Sequence, residues 1–133
     1  MDEKKLIEKA LDMLNYSYVP YSHFHVGAAL LSKDGTIYGG CNIENASYTP
    51  TNCAERTAIF KAVSEGVKEF DAIAIVGGKN GVVTDYCPPC GVCRQVMSEF
   101  CKGDFKIILA KSIDDFKVYT LDELMPARFD LLN

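Results

Sequence analysis

The chain of 133 residues has the length of one typical domain, so we expect a single domain over residues 1–133. Its content of 48% hydrophobic and 24% charged residues is that of a globular protein and excludes a disordered or fibrous one. Fourteen basic against eighteen acidic residues leave a formal net charge of −4, and because nucleic-acid binding usually depends on Lys and Arg neutralising phosphates, we expect no nucleic-acid partner.

The N-terminal stretch predicts neither a targeting segment nor a membrane span. The charged start at residues 1–5 leads into an amphipathic stretch with no long apolar run, which fits neither a signal peptide nor a spanning helix. We therefore expect a cytoplasmic protein with no membrane partner. In that reducing compartment the six cysteines are more often metal ligands, catalytic groups or core residues than disulfides.

The first half of the chain predicts a helix followed by an antiparallel hairpin. Apolar residues at helical spacing predict an amphipathic helix over residues 3–14, and the tyrosine- and proline-containing run 16–24 predicts a loop. Residues 26–31 form an apolar strand. After the turn signal Lys33-Asp34-Gly35, residues 36–42 are predicted to pair with it as the second strand of the hairpin.

The second half predicts alternating helices and strands. In chain order they are a helix over 52–66, a strand buried on both faces over 72–76, a Gly-rich loop, a helix over 90–100, strands over 105–110 and 116–119, and a last helical turn opened by a Thr120–Glu123 capping box. Alternation of this kind implies parallel pairing, whereas the hairpin is antiparallel. We therefore predict the α/β class, with one mixed sheet and helices on its faces.

Three cysteines lie at the starts of the two central helices. Cys90 and Cys93 are three residues apart, which places their sulfurs on one face of the first helical turn. The partial positive charge of a helix N-terminus favours thiolates, the form that binds metal. Cys53 begins the other helix and can be a third ligand if the two N-termini converge. Three protein ligands leave the fourth tetrahedral position of Zn²⁺ open, as a catalytic site needs.

Charged residues next to these cysteines complete the candidate site. Glu55, two residues after Cys53, can carry protons for a metal-activated water if Cys53 lies at the mouth of the helix. Three thiolates and one Zn²⁺ sum to −1. Arg56 and Arg94 can offset this negative charge, and Arg56 is the stronger candidate because it directly follows the Cys-Ala-Glu run.

Four segments of the chain resemble the small, homotetrameric, zinc-dependent cytidine deaminases. They are the segments FHVGAAL at 24–30, GCNIENASY at 40–48, CAER at 53–56 and PCGVCRQ at 89–95. The resemblance runs from about Tyr18 to the C-terminus, in the same order and at similar spacing. It implies a three-layer α-β-α fold with a mixed five-stranded sheet, a homotetramer, and hydrolytic deamination of cytidine and 2′-deoxycytidine to the uridine nucleosides in pyrimidine salvage, with release of ammonia.

The resemblance also implies a role for each site residue. Cys53, Cys90 and Cys93 would hold Zn²⁺, Glu55 would be the catalytic proton shuttle, and Arg56 would hydrogen-bond the ligand sulfurs. The small-molecule nucleoside would be contacted by six residues: Phe24 against the pyrimidine ring, Asn42 and Glu44 at the ribose hydroxyls, the main chain of Ala54 at the base, and Tyr48 and Phe129 reaching the site of a neighbouring subunit.

One departure from the family pattern keeps the ligand set open. This chain has Pro88-Pro89 where the family usually has Ser-Pro, and it adds Cys87. Cys87 could therefore compete for the metal, or could close a structural four-cysteine site with the other three, although the two prolines make that geometry difficult. A thioredoxin-like redox pair at the Cys-x-x-Cys is a further alternative, but it leaves Cys53 and Glu55 without a role.

Several of the same residues also have ordinary structural explanations. Glu55 could be the Glu of a capping box that begins at Asn52, and Phe24 could be a core residue. Cys41 and Cys101 have no partners at ligand spacing and are expected to be small buried residues. At the level of the whole protein, the alternatives are a deaminase acting on a nucleotide, a tRNA base or an aminoacyl-nucleoside antibiotic, and a non-enzymatic zinc module.

Overall fold

The computed structural model describes residues 1–132 and contains four α-helices and five strands within that range. In chain order they are α1 (Glu3–Met13), β1 (Phe24–Ser32), β2 (Ile37–Cys41), α2 (Ala54–Ser64), β3 (Phe70–Lys79), α3 (Gly91–Phe100), β4 (Lys106–Ser112), β5 (Asp115–Thr120) and α4 (Leu121–Leu124). Across residues 1–132, no helix is long and apolar enough to cross a membrane.

The strands form one mixed sheet in the order β2-β1-β3-β4-β5. The β3–β4 pair is parallel and the other three pairs are antiparallel. This confirms the predicted mixed five-stranded sheet. The predicted parallel pairing is present between β3 and β4. It was wrong for β2 and β3, because β1 lies between them and pairs with both in antiparallel directions.

Helix α1 covers one face of the sheet. It begins after Asp2, whose side chain accepts a hydrogen bond from the Lys5 backbone N–H at 3.1 Å and so caps the first turn. The apolar side chains of α1 and those of the sheet beneath it form one core cluster. Its members are Leu6, Ile7, Ala10, Leu14, Ala29, Ala72, Ala74, Val76, Ile108 and Ala110. The helix approaches β1 closely at Gly27, where a Cβ atom would lie 2.1 Å from the Ala10 carbonyl oxygen.

Helices α2 and α3 cover the opposite face. The second core cluster includes Leu30, Ile59, Ile73, Met97 and Phe105, so successive residues of β1 and β3 alternate between the two clusters. Burial of β3 on both faces is the reason for its nearly continuous apolar sequence. Helices on both faces of one sheet are the three-layer α-β-α arrangement that the resemblance implies.

Two boundaries differ from the prediction in a way that matters for the site. Strand β3 continues to Lys79, so Gly77 and Gly78 lie in the sheet and not in the loop. The strand continues because β1 pairs with it to its end, and because the absence of a side chain at Gly78 lets the Val82 carbonyl approach: a Cβ there would lie 1.9 Å from that oxygen. Helix α2 begins at Ala54, so its N-cap is Cys53 and not Asn52.

Candidate metal centre

Two helix starts bring three thiols together. Cys53 is the N-cap of α2 and Cys90 is the N-cap of α3, and both have extended backbone conformations. Cys93 is the third residue of α3 and is fully buried. The three sulfurs all lie within 4.8 Å of one another, and the Sγ atoms of Cys53 and Cys90 are 3.8 Å apart. The two helix N-termini therefore converge, which is the condition for Cys53 to be a third ligand.

The donor set fits zinc. Four-coordinate Zn²⁺ with Zn–S bonds of about 2.3 Å places neighbouring sulfurs about 3.8 Å apart, close to the observed separation of Cys53 and Cys90. The partial positive charges of two helix N-termini add to the stabilisation of thiolates. With three cysteines as its protein ligands, a bound Zn²⁺ would have its fourth tetrahedral position left for a non-protein ligand, as in an open site.

Arg56 sets the charge of this cluster. Its Nη2 atom donates a hydrogen bond to Cys53 Sγ at 3.2 Å. Hydrogen bonds from the Cys93 thiol and from Arg56 lower the pKa of Cys53 to about 5. The pKa of Cys93 is raised, because its thiol keeps the proton that it donates to Cys53. Arg94, the other candidate for offsetting the negative charge, instead donates to the carbonyl oxygens of Pro89 and Leu124 at 2.8 and 2.6 Å.

Glu55 is a buried carboxyl group beside these sulfurs. Only 4% of the residue is exposed. Burial, and then the negative charge of Cys53, raise the pKa of Glu55 to about 7. The capping-box explanation does not hold, because the N-cap is Cys53 and the amide of Asn52 instead donates to the Thr57 hydroxyl at 3.1 Å. A buried acid with a pKa near neutrality is suited to both accepting and donating protons.

Cys87 stands apart from the metal cluster. The group of sulfurs close enough to share one ion consists of Cys53, Cys90 and Cys93 and does not include Cys87. Burial raises the pKa of the Cys87 thiol to about 12, with the charges of Glu55 and Cys53 adding to the effect. Cys87 is therefore a neutral thiol near the site, and the closed four-cysteine alternative has no support in this geometry.

The residues that the resemblance assigns to the nucleoside lie on β1 and the segment after β2. Phe24, 38% exposed, is the first residue of β1. The Asn42 amide accepts from the Val26 N–H at 2.9 Å and donates to the Phe24 carbonyl at 2.8 Å, so it holds the start of β1. One lone pair and one proton of that amide remain for another partner. Ala54, buried, lies between the first cysteine and Glu55.

Glu44 organises the loop that precedes β1. Its Oε1 atom accepts hydrogen bonds from the backbone N–H groups of Tyr21 and Ser22 at 3.0 and 3.1 Å. Hydrogen bonding with Ser22 lowers the pKa of Glu44, so this carboxyl group is an anion near neutral pH. Glu44 also lines a cavity of about 430 Å³, together with Tyr21, Ser22, Asn45, Tyr48 and Thr51.

The two remaining aromatic residues are on the surface of the single chain. Tyr48 is 76% exposed and has a left-handed backbone with φ of 60°. Phe129 is 67% exposed, and its carbonyl accepts a hydrogen bond from the Gln95 side chain at 3.0 Å.

The sequence did not single out Gly77, which lies beneath Phe24 and Cys87. The consecutive glycines after a buried strand were the available signal.

Comparison with known proteins identifies the family. The family model for the cytidine and deoxycytidylate deaminase zinc-binding region matches residues 1–109. This chain belongs to the cytidine and deoxycytidylate deaminase family. Cytidine deaminases of Sporosarcina psychrophila and Halalkalibacterium halodurans are each 52% identical to it over 129 residues, which cover 97% of this chain and 92% and 95% of the relatives.

A solved structure of another family member agrees with the fold. The crystal structure of cytidine deaminase from Burkholderia pseudomallei superposes with a TM-score of 0.88 at 44% identity, covering 97% of this chain and all of that one. The family and the fold predicted from the sequence are thus confirmed. The zinc-binding region of the deaminase family and the cluster of three cysteines together identify Zn²⁺ as the cofactor.

Proposed function

We propose that this protein is a zinc-dependent cytidine deaminase that converts cytidine and 2′-deoxycytidine, with water, into uridine and 2′-deoxyuridine and ammonia, as a step of pyrimidine salvage. The observation that carries the proposal is the convergence of Cys53, Cys90 and Cys93 beside the buried carboxyl group of Glu55. The named activities of relatives that are 52% identical over nearly the whole chain support the same reaction.

In the proposed mechanism the three cysteines hold Zn²⁺ and Glu55 moves the protons. When bound, Zn²⁺ supplies a water-derived nucleophile at neutral pH by lowering the pKa of water. Glu55 takes up the proton that this water releases and delivers it to ring N3, which makes C4 electrophilic, and the oxygen of the water forms a bond to C4. Glu55 then takes the remaining proton from that oxygen and delivers it to the amino group on C4, so that the C–N bond breaks, ammonia leaves and a C4 carbonyl is left. A pKa of about 7 lets one carboxyl group serve both transfers.

Arg56 keeps the cysteine cluster from becoming too negative. Three thiolates around a divalent cation carry a net charge of −1, and excess negative charge would oppose ionisation of the water. The hydrogen bond from Arg56 to Cys53 places a positive guanidinium directly on a ligand sulfur. The N-termini of α2 and α3 add partial positive charge on the same side.

We propose that the nucleoside lies between the cysteine cluster and the start of β1. Phe24 would contact the pyrimidine ring, and the main chain of Ala54 would contact the base. Asn42 and the anionic Glu44 would hold ribose hydroxyls, because an amide and a carboxylate can together serve a hydroxyl as donor and acceptor. The cavity that Glu44 lines supports a position for the sugar beside this residue.

The assembly and setting of the enzyme belong to the same proposal. We propose a single deaminase domain over residues 1–133 that works as a homotetramer in the cytoplasm. Large apolar side chains exposed on the single chain support self-association. Among them are the two aromatic residues proposed to reach a neighbouring subunit, Tyr48 and Phe129. Size-exclusion chromatography with light scattering measures the assembly, and a monomer would contradict the tetramer.

A spectrophotometric assay with metal analysis tests the proposed reaction. The purified protein is incubated with cytidine, 2′-deoxycytidine, cytidine monophosphate and an aminoacyl-cytosine nucleoside, and loss of cytosine absorbance is followed. We expect turnover of the first two, with one zinc per chain. Turnover of only cytidine monophosphate, or of only the aminoacyl-cytosine nucleoside, would show that the proposed substrate is wrong. A zinc-loaded protein that acts on none of the four compounds would indicate a structural zinc module.

A further inference from the structure

Tyr86 connects the segment between β3 and α3, residues 80–90, to the hairpin formed by β4 and β5. Its hydroxyl donates a hydrogen bond to Asp115 Oδ1 at 2.5 Å. The Nζ atoms of Lys111 and Lys117 lie 4.6 and 4.7 Å from the centre of its ring, within the range of about 6 Å over which an aromatic ring attracts a cation. Three residues of the hairpin therefore hold one side chain of the β3–α3 segment.

These contacts lie on the face of the sheet that carries the metal centre. The register of β4 and β5 pairs Leu109 with Lys117, and Leu109 belongs to the core cluster beneath α2 and α3. Asp115 is two residues before Lys117 in the same strand, so it lies on the same face. The side chains of Tyr86 and Cys53 pack against that same cluster. The attachment of Tyr86 and the metal centre are therefore on one side of the sheet.

Tyr86 attaches the middle of the β3–α3 segment to the rest of the fold. The beginning of the segment is tied to β3, because the backbone N–H groups of Gly81 and Val82 donate to β3 carbonyl oxygens at 3.2 and 3.0 Å. Within the described residues 1–132, the hydrogen bond from Tyr86 to Asp115 is the only one that joins residues 83–88 to another helix or strand. Removing this contact would therefore loosen the part of the chain that leads into α3.

The chain between Tyr86 and Cys90 has little rotational freedom. Pro88 and Pro89 each fix one backbone dihedral, and the residue before a proline is restricted to extended conformations. The carbonyl oxygen of Pro89 also accepts a hydrogen bond from Arg94 Nε at 2.8 Å. A displacement of Tyr86 would therefore be passed along this stiff connection to Cys90, which is the N-cap of α3.

Cys90 depends on this attachment more than the other two proposed zinc ligands do. Cys93 is fully buried, so the surrounding atoms fix its position, and Cys53 accepts a hydrogen bond from Arg56. Cys90 is exposed and directly precedes α3. We propose that Tyr86 is a positioning residue whose contacts with the β4–β5 hairpin keep Cys90 Sγ within bonding distance of the ion shared with the other two cysteines. The inference rests on the zinc-binding part of the proposed function.

The test measures how fast zinc leaves the loaded protein when a chromophoric chelator is in excess. Tyr86→Phe removes the hydroxyl and keeps the ring, whereas Tyr86→Leu removes the ring as well. Groups that support a metal ligand typically change metal affinity about 10- to 100-fold, so we expect zinc to leave Tyr86→Leu about tenfold faster or more, and Tyr86→Phe severalfold faster. The matched control is Tyr38→Phe, which removes a hydroxyl from a half-buried tyrosine of β2, at the opposite edge of the sheet from β5, and should leave the rate unchanged.

A double-variant cycle tests the hydrogen bond itself. Asp115→Ala should accelerate zinc release as much as Tyr86→Phe does, and combining the two substitutions should add little, because both remove the same contact. Asp115→Asn keeps an oxygen that can accept the hydrogen bond and should stay close to the unmodified protein. With Co²⁺ in place of zinc, the absorption bands of tetrahedral coordination should weaken in Tyr86→Leu and persist in Tyr38→Phe.

The outcomes separate this inference from the proposed function. A purely structural role of Tyr86 would lower the free energy of unfolding of the metal-free protein and leave the rate of zinc release and the Co²⁺ spectrum unchanged, and that result would overturn the inference. If Tyr86→Leu does not fold, unchanged release rates in Tyr86→Phe and Asp115→Ala would overturn it equally. The expected differences in release rate, in a protein that does not deaminate cytidine, would support the role of Tyr86 and refute the proposed reaction. An unmodified protein that binds no zinc would refute both.

Discussion

The Arg56 guanidinium and the Cys53 thiolate form a hydrogen-bonded pair, with Nη2 3.2 Å from Sγ. The two residues are one helical turn apart at the start of α2, so a single short segment supplies both a candidate zinc ligand and its counter-charge. Glu55 lies between them in sequence and is buried. The Cys-Ala-Glu-Arg run therefore brings a candidate ligand, the proposed proton carrier and a positive charge to one helix start.

Replacing Arg56 should weaken zinc binding. Arg56→Ala removes the hydrogen bond to Cys53, and loss of a group that supports a metal ligand typically lowers metal affinity about 10- to 100-fold. Competition with a chromophoric chelator measures the affinity. Arg128→Ala is the matched control, because the half-buried side chain of Arg128 forms an ion pair with the exposed Asp122, and it should leave the affinity unchanged. Equal affinities in all three proteins would contradict the role of Arg56.

Replacing Glu55 with Gln should abolish most turnover while leaving the metal in place. The amide keeps the shape of the side chain but cannot carry protons, and positioned proton transfer contributes about 10²- to 10⁴-fold to rate. Steady-state kcat and zinc content are measured on the same preparation. Glu65→Gln, at the exposed C-terminal end of the same helix, should retain full activity. A near-normal kcat in Glu55→Gln would show that another group transfers the protons.

The three clustered cysteines should bind zinc, and Cys87 should not. Alanine at Cys53, Cys90 or Cys93 removes one of the sulfurs that lie within 4.8 Å of one another, so each purified variant should contain much less than one zinc per chain. Cys87→Ala should retain the metal, because Cys87 lies outside that group. Atomic emission of the dialysed proteins provides the measurement. Loss of zinc from Cys87→Ala as complete as from the others would support the structural four-cysteine site.

Crowding at Gly27 should make this position intolerant of any side chain. The Cβ atom of Gly27→Ala would lie 2.1 Å from the Ala10 carbonyl oxygen, so α1 would have to shift away from the sheet. We expect the free energy of unfolding to fall by about 1–3 kcal/mol or more, in the range of overpacked cores. Gly91→Ala is the control, since a Cβ there meets no atom within 4 Å. Urea denaturation compares the two, and an equal midpoint for both would contradict the crowding.

Most of the fold could be predicted because its local signals agree with one another. Apolar spacing in α1, the Lys33–Gly35 turn and the continuous apolar run of β3 each specify one type of element. The neighbours of each strand could not be predicted in the same way. That β1 inserts between β2 and β3 depends on long-range pairing, which leaves no mark in a window of ten or fifteen residues.

The centre of the site was easier to predict than its edges. Cys53, Cys90 and Cys93 lie at helix starts with the spacing of metal ligands. Because sulfurs that bind one ion must lie close together, this spacing predicts that the two helix starts converge. The place of Cys87 depends on Gly77, which is ten residues earlier and looks like a loop residue until the strand pairing is known. Tyr48 and Phe129 are exposed on the single chain, and their proposed contacts with another subunit stay a prediction.

The two halves of the metal centre are 37 residues apart in the chain, counted from Cys53 to Cys90. A bound ion therefore acts as a removable cross-link that closes a long loop containing α2 and β3. Restricting such a loop in the unfolded chain raises the free energy of unfolding, as a disulfide does. The same ion would thus stabilise the tertiary structure, and the melting temperature should rise with the fraction of the protein that holds zinc.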